Sequence, residues 1–124
     1  MIKTTDMFNL TIKPNKYDLI LSVSTINHGY KKDISRLINK IYKALLLGGK
    51  AFITIPDKKS LKTWGTFKKY KRLDKNTVLP LIGPEKEVLH SFYTKQEIKE
   101  MFNKFTTLEM EKDIIGQWIV IASK

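Results

Sequence analysis

The sequence predicts an α/β fold: a mixed sheet of about four strands with helices mainly on one face. Three observations carry this. A strand, a helix and a second strand run in succession over residues 17–55, which is a βαβ unit. A capped amphipathic helix starts near residue 94. Two short apolar strands then follow with a brief connection between them, which favours antiparallel pairing.

Size and composition frame these elements. The chain has 124 residues and 42% hydrophobic content, enough for one core. A chain of this size can bury ~65% of its unfolded surface. Cysteine is absent, which excludes disulfides, thiolate metal sites and cysteine nucleophiles. No apolar run reaches the length of a spanning helix. The opening MIKTTDMFNLTIKPNK lacks the apolar centre of a signal peptide, so a cytoplasmic protein is expected. Net charge is +11, which invites an anionic partner such as nucleic acid. Of the 23 basic residues only Arg36 and Arg72 are arginine. That lysine dominance also fits the composition bias of an AT-rich genome. Lysine is a point charge, and arginine is the better planar reader of phosphate and bases.

The elements follow in order. Tyr17–Val23 is apolar on both faces and reads as a buried strand, after the turn signal Pro14-Asn15. Ile34, Leu37, Ile38, Ile41, Tyr42, Leu45 and Leu46 keep helical spacing throughout. Asp33 is placed to cap that helix. Gly48 is expected just past its end in a left-handed turn, and Gly49 turns the chain into the strand Ala51–Ile55. Pro56 ends the strand. Residues 57–92 read as a partly helical insert followed by a loop, with eight basic residues between Lys58 and Lys75. Thr94 and Glu97 form a capping box, and Tyr93 with Ile98 fits a hydrophobic staple. Ile98, Met101, Phe102 and Phe105 make the apolar stripe. Thr107–Glu111 and Gln117–Ala122 are the closing strands.

The segments YDLILSVSTINH, LINKIYKALLLGGKAFITIPD, FYTKQEIKEMF and QWIVIASK, in that order, resemble the C-terminal half of class I S-adenosylmethionine-dependent methyltransferases of the type 11 kind. The resemblance covers about residues 5–123. It implies a truncated Rossmann-like fold, 1–124 as one partial domain, with strand order 4-5-7-6 in the family's numbering. It also implies S-adenosylmethionine as cofactor and methyl transfer to an acceptor that the sequence does not identify. Asp6 and Met7 would match the residues beside the adenine, and Ser22 and Val23 would line the cofactor side. His28 would be the candidate base. Residues 58–92 correspond to a variable substrate-side insert, where Trp64, Tyr70, His90 and Tyr93 would face the acceptor.

The resemblance leaves the family's first three strands, the acidic residue that ends the second of them and the glycine-rich loop without counterparts here. Glycine occurs only at 29, 48, 49, 65, 83 and 116, so no G-x-G loop exists in it. The cofactor site is expected to be incomplete without an N-terminal half. The strand 17–23 then becomes an apolar edge that invites a complementing half or a second copy of the chain. The sheet face opposite the helices, with residues such as Phe52 or Ile53, is expected to lack cover.

Each candidate has a plainer alternative. The loop 22–27 can be an ordinary strand-to-helix connection, with His28 packing or capping. KKSLKTWGTFKKYKR (58–72) can grip single-stranded nucleic acid through lysines and aromatics, or be a solvated amphipathic segment. Residues 80–94 can form a lid or a plain connection. The two histidines show no ligand spacing with carboxylates, so no metal site is expected. A non-catalytic partner-binding module and a basic RNA-binding domain using 58–75 are the alternatives to an enzyme.

Overall fold

The computed structural model describes residues 4–63 and 69–124. Its main sheet has four strands in the order β1-β2-β7-β6. These are β1 (Tyr17–Ser22), β2 (Leu45–Pro56), β6 (Thr107–Lys112) and β7 (Gln117–Ser123). β1 and β2 are parallel, while β7 runs antiparallel to both β2 and β6. This is the strand order expected from the sequence. The crossover between β1 and β2 is α1 (Lys31–Ala44), and α2 (Lys95–Met101) precedes β6.

Both helices sit on one face. Ile34, Leu37, Ile38 and Ile41 of α1 and Ile98 of α2, with Phe102 and Phe105 beyond it, form one buried cluster. Ala51, Ile53, Ile55, Val120 and Ala122 of the sheet complete it. Side chains alternate across a strand, so the intervening residues point the other way. Tyr17, Leu19, Leu21 and Val23 are accordingly exposed, Leu21 at 64%. Phe52, Ile119 and Ile121 on the same face are only partly covered. The open apolar face is therefore present, carried by Phe52 and not by Ile53, which is fully buried. β1 is an edge strand, and a groove of about 660 Å³ runs beside it, walled by Leu10, Ile12, Tyr17 and Leu19.

Several local expectations are corrected. Asp33 does not cap α1. Tyr30 holds that position without a side-chain bond, and Asp33 lies in the first turn, 3.4 Å from Arg36. Its charge there still suits the positive end of the helix. Nor does a glycine end the helix. The backbone N–H groups of Asn15 and Lys16 donate to the carbonyls of Lys43 and Ala44, and Lys124 Nζ donates to Leu45 O. With the last carbonyls satisfied from outside, α1 passes directly into β2 at Leu45. Gly48 and Gly49 lie inside β2, where the pairing with β1 jumps from Tyr17↔Leu45 to Leu19↔Lys50. Gly48 takes φ +80°, and a Cβ on Gly49 would stand 2.9 Å from Leu46 O and 3.0 Å from Tyr17 O. The pair makes a bulge, one glycine for conformation and its neighbour for space.

Among the described residues, the insert is not helical beyond a single 3-10 turn at Lys58–Lys62. It forms a second antiparallel sheet of β3 (Tyr70–Asp74), β4 (Thr77–Pro80) and β5 (His90–Ser91). Leu61, Val78 and Phe92 give it a small core of its own. α2 begins as expected. Thr94 Oγ1 accepts from the Glu97 N–H, and Glu97 Oε1 accepts from the Thr94 N–H.

Candidate functional site

The carboxyl end of β1 is the place to build from, because ligands of open α/β sheets collect beyond strand carboxyl ends. The chain leaves β1 through Ser24, which adopts φ +51° although it is not glycine. A non-glycine residue in this region costs free energy and needs outside support. Thr54 Oγ1 supplies it by accepting the Ser24 N–H at 2.8 Å, and the Gln117 side-chain amide donates to Ser24 Oγ. Thr25 Oγ1 donates to Val23 O, and the His28 N–H donates to Thr25 O. Ile26 and Asn27 are buried beneath this turn. His28 therefore sits on a braced loop.

β5 is stitched to that loop. The Ser91 N–H donates to Asn27 O at 2.9 Å, and Ser91 Oγ donates to Gly29 O. Since that hydroxyl proton is committed, the Thr77 hydroxyl donates to Ser91 Oγ. These bonds bring His90 beside His28, far away in sequence. Their ring centroids are 4.6 Å apart at an interplanar angle of 66°. His90 is 1% exposed. Its Nδ1 lies 2.7 Å from Val88 O, and a carbonyl can only accept, so Nδ1 carries a proton. Its Nε2 lies 3.0 Å from Glu85 Oε2. Glu85 stands on a turn closed by the Val88 N–H to Glu85 O bond and tied to β4 by the Glu87 N–H to Pro80 O bond. Burial, then the neighbouring His90, hold the His28 pKa below its usual 6.5, against a smaller opposing pull from Glu85. His28 is thereby biased towards the neutral imidazole, the form with a free lone pair.

The other expected site residues are placed less favourably. Ser22 is half-buried at the end of β1, and Val23 is exposed beside it. Asp6 is exposed, and its Oδ1 accepts from the Phe8 N–H. It lines a small pocket with Arg36 and Lys40 that includes neither Ser22 nor Val23. Met7 packs on the main core. The 6–10 segment does meet the β1 loop, since the Phe8 ring lies against Gly29 so closely that a Cβ there would overlap it. Tyr70 is exposed at the start of β3. Tyr93 belongs to the core instead of an acceptor pocket. It is 3% exposed, and its hydroxyl has no partner among the described residues. Burial, then the Glu97 charge, push its pKa far above the usual value. Lys31 Nζ lies 4.7 Å from the Tyr93 ring centre and pairs with Glu97. Burial would raise the Glu97 pKa, but hydrogen bonds from Lys31 and Thr94 outweigh it and bring it below the usual range. Trp64, Phe67 and Lys68 lie outside the described residues.

Sequence reading found His28 and His90 separately and missed Glu85. Glu85 precedes His90 by five residues in a loop, which is no helical or strand spacing, so nothing in the sequence marks the pair. No metal site was expected, yet the fold brings ligand atoms of His28, Glu85 and His90 within 4.8 Å of one another.

No protein-family model and no curated protein matches the sequence. Solved structures do match. A protein of Pyrococcus horikoshii superposes with a TM-score of 0.74 at 16% identity, covering 96% of this chain and 57% of that one. A group of S-adenosylmethionine-dependent methyltransferases is represented by one from Methanosarcina mazei, with a TM-score of 0.69 at 14% identity. It covers 98% of this chain and 66% of that one. The fold is that of the S-adenosylmethionine-dependent methyltransferases. The Burkholderia thailandensis 1,6-didemethyltoxoflavin-N1-methyltransferase, solved with 1,6-didemethyltoxoflavin and S-adenosylhomocysteine, matches with a TM-score of 0.68 at 13% identity. It covers 97% of this chain and 48% of its own. The chain thus spans about half to two thirds of the length of these structures. Among the described residues no helix is long and apolar enough to cross a membrane.

Proposed function

We propose that this chain supplies the acceptor-side part of an S-adenosylmethionine-dependent methyl-transfer site. The observation that carries the reading is the braced loop after β1, which presents His28 beyond the strand end in a methyltransferase fold. S-adenosylmethionine, when bound, supplies an electrophilic methyl group on a sulfonium. Asp6, Met7, Ser22 and Val23 are the residues of this chain that would border it. Ser22 and Val23 stand at the strand end where such a wall is needed, whereas Asp6 lines a separate small pocket, Met7 packs on the core, and no G-x-G loop is present in the chain to make the opposite wall.

His28 would take the proton that an acceptor loses when it is methylated. A neutral imidazole at pH 7 suits that task. The bare apolar edge of β1 and the groove beside it support completion of the sheet by another segment, from a complementing half or a second copy.

The test is calorimetric titration with S-adenosylhomocysteine. Micromolar binding that weakens in Asp6→Ala supports the reading. A flat isotherm at millimolar cofactor refutes binding by these residues alone. A second reading rests on β3, all of whose residues are exposed, including Tyr70, Lys71 and Arg72. RNA affinity that falls steeply with salt and weakens in Arg72→Ala would favour a basic nucleic-acid contact.

A further inference from the structure

We propose that His28, His90 and Glu85 bind one divalent first-row transition-metal ion. The chemistry of the donor set comes first. Two imidazole nitrogens and one carboxylate oxygen suit zinc, cobalt, manganese or ferrous iron, whereas calcium and magnesium prefer oxygen alone. Metal–nitrogen bonds of ~2.0–2.1 Å put tetrahedral ligand atoms about 3.3 Å apart. Nε2 of His90 and Oε2 of Glu85 already stand 3.0 Å apart, and the whole set falls within 4.8 Å. His28 and Glu85 are both half-buried, so both side chains have room to close the remaining gap.

The site is built as well as assembled. Val88 O holds the proton of His90 on Nδ1, which aims the other nitrogen at Glu85. Metal-binding histidines are ordinarily oriented in this way by a carbonyl or carboxylate on the far nitrogen. A lone pair facing a carboxylate oxygen at 3.0 Å is repulsive unless a cation, proton or metal, lies between. The loop carrying His28 is braced from Thr54 and Ser91, so the ligands come from two fixed elements and one short turn.

Three protein ligands leave positions open for an acceptor or water. A bound metal would occupy the lone pair that His28 otherwise offers as a base. It would instead acidify whatever acceptor atom it touches. The proposal does not depend on cofactor binding, so a flat cofactor isotherm leaves it standing, but a bound metal would replace the base role of His28 in the methyl-transfer reading.

The chain makes the test unusually clean, because it contains no cysteine and only these two histidines. Untagged, metal-free protein is titrated with Co²⁺ and followed by visible ligand-field absorption. In parallel, the two imidazole rings are followed by nuclear magnetic resonance with Zn²⁺. The expected result is one ion per chain, shifts of both rings, and affinity reduced about tenfold or more in His28→Ala and in Glu85→Gln. Those two variants alter accessible side chains, and a thermal melt checks that each still folds. Two outcomes overturn the proposal: unshifted imidazole resonances at millimolar Zn²⁺, or Co²⁺ affinity unchanged in both folded variants.

Discussion

Replacing Gly48 and Gly49 one at a time by alanine separates two physical effects that sit side by side in β2. At Gly48 nothing lies within 4 Å of the methyl that alanine adds, but φ is +80°. Left-handed backbone costs an alanine about 1–2 kcal/mol. Reduced freedom of the unfolded chain returns about 0.4–1 kcal/mol. The net loss is about 1 kcal/mol. At Gly49 the methyl meets three backbone oxygens, those of Leu46, Tyr17 and Asp18, at 2.9, 3.0 and 3.2 Å. None is the end of a flexible side chain, so the β1–β2 ladder must part. Weakening roughly two ladder bonds at ~0.5–1.5 kcal/mol each, with about 1 kcal/mol of angular strain, gives about 3 kcal/mol. The same unfolded-state gain leaves about 2 kcal/mol. Unfolding entropy of ~2.1 cal/mol/K per residue turns these losses into Tm drops of about 4 °C for Gly48→Ala and about 8 °C for Gly49→Ala. Asparagine decides the matter, since it tolerates left-handed backbone. Gly48→Asn recovers most of the loss, and Gly49→Asn recovers none. Calorimetric or urea melts read both. Equal losses for the two alanines, or rescue by asparagine at 49, would refute the bulge reasoning.

Tyr93→Phe removes a buried hydroxyl without a partner among the described residues, so stability should hold or rise by up to about 1 kcal/mol in urea unfolding. A loss above that would reveal a hydrogen bond. His28 binds its proton less readily folded than unfolded, so the unfolded chain takes up more protons below pH 6.5. Stability should therefore fall as the pH drops from 6.5 towards the folded-state pKa, and His28→Asn should flatten that slope in metal-free buffer. Leu21→Lys places a charge on the open face where Leu21 is 64% exposed. Sedimentation should show less self-association than the parent, with stability changed by no more than about 0.5 kcal/mol. A parent chain that is already monomeric at the same concentration would sink this expectation.

What the sequence disclosed follows from where side chains carry a periodic signal. The stripe from Ile34 to Ile41 and the Thr94–Glu97 box are local patterns, and both appear in the structure. The order of the four main strands was legible too, through the family resemblance and the short β6–β7 connection. β3 was not. All five of its residues face solvent, so no alternation between core and surface was there to read. The end of α1 was misjudged because its carbonyls are satisfied by Asn15 and Lys16, partners distant in sequence. The histidine cluster was hidden for the same reason. It depends on Ser91 bonding to Asn27 and Gly29, a tertiary event that neither segment announces.

The position of β7 between β2 and β6 also sets a timetable for synthesis. β2 emerges from the ribosome with β1 on one side and nothing on the other. Its second neighbour, β7, is made only after the hairpin insert, α2 and β6. At ~5–20 residues per second the delay is on the order of several seconds. Until α2 is made Ala51, Ile53 and Ile55 have only α1 to cover them, and the edge that will receive Val120 and Ala122 stands bare until β7 arrives. The nascent chain therefore passes through a stage in which this edge of β2 is open. A holding chaperone that recognises extended apolar segments would have its best opportunity then, before Gln117–Ser123 slides in and closes the sheet.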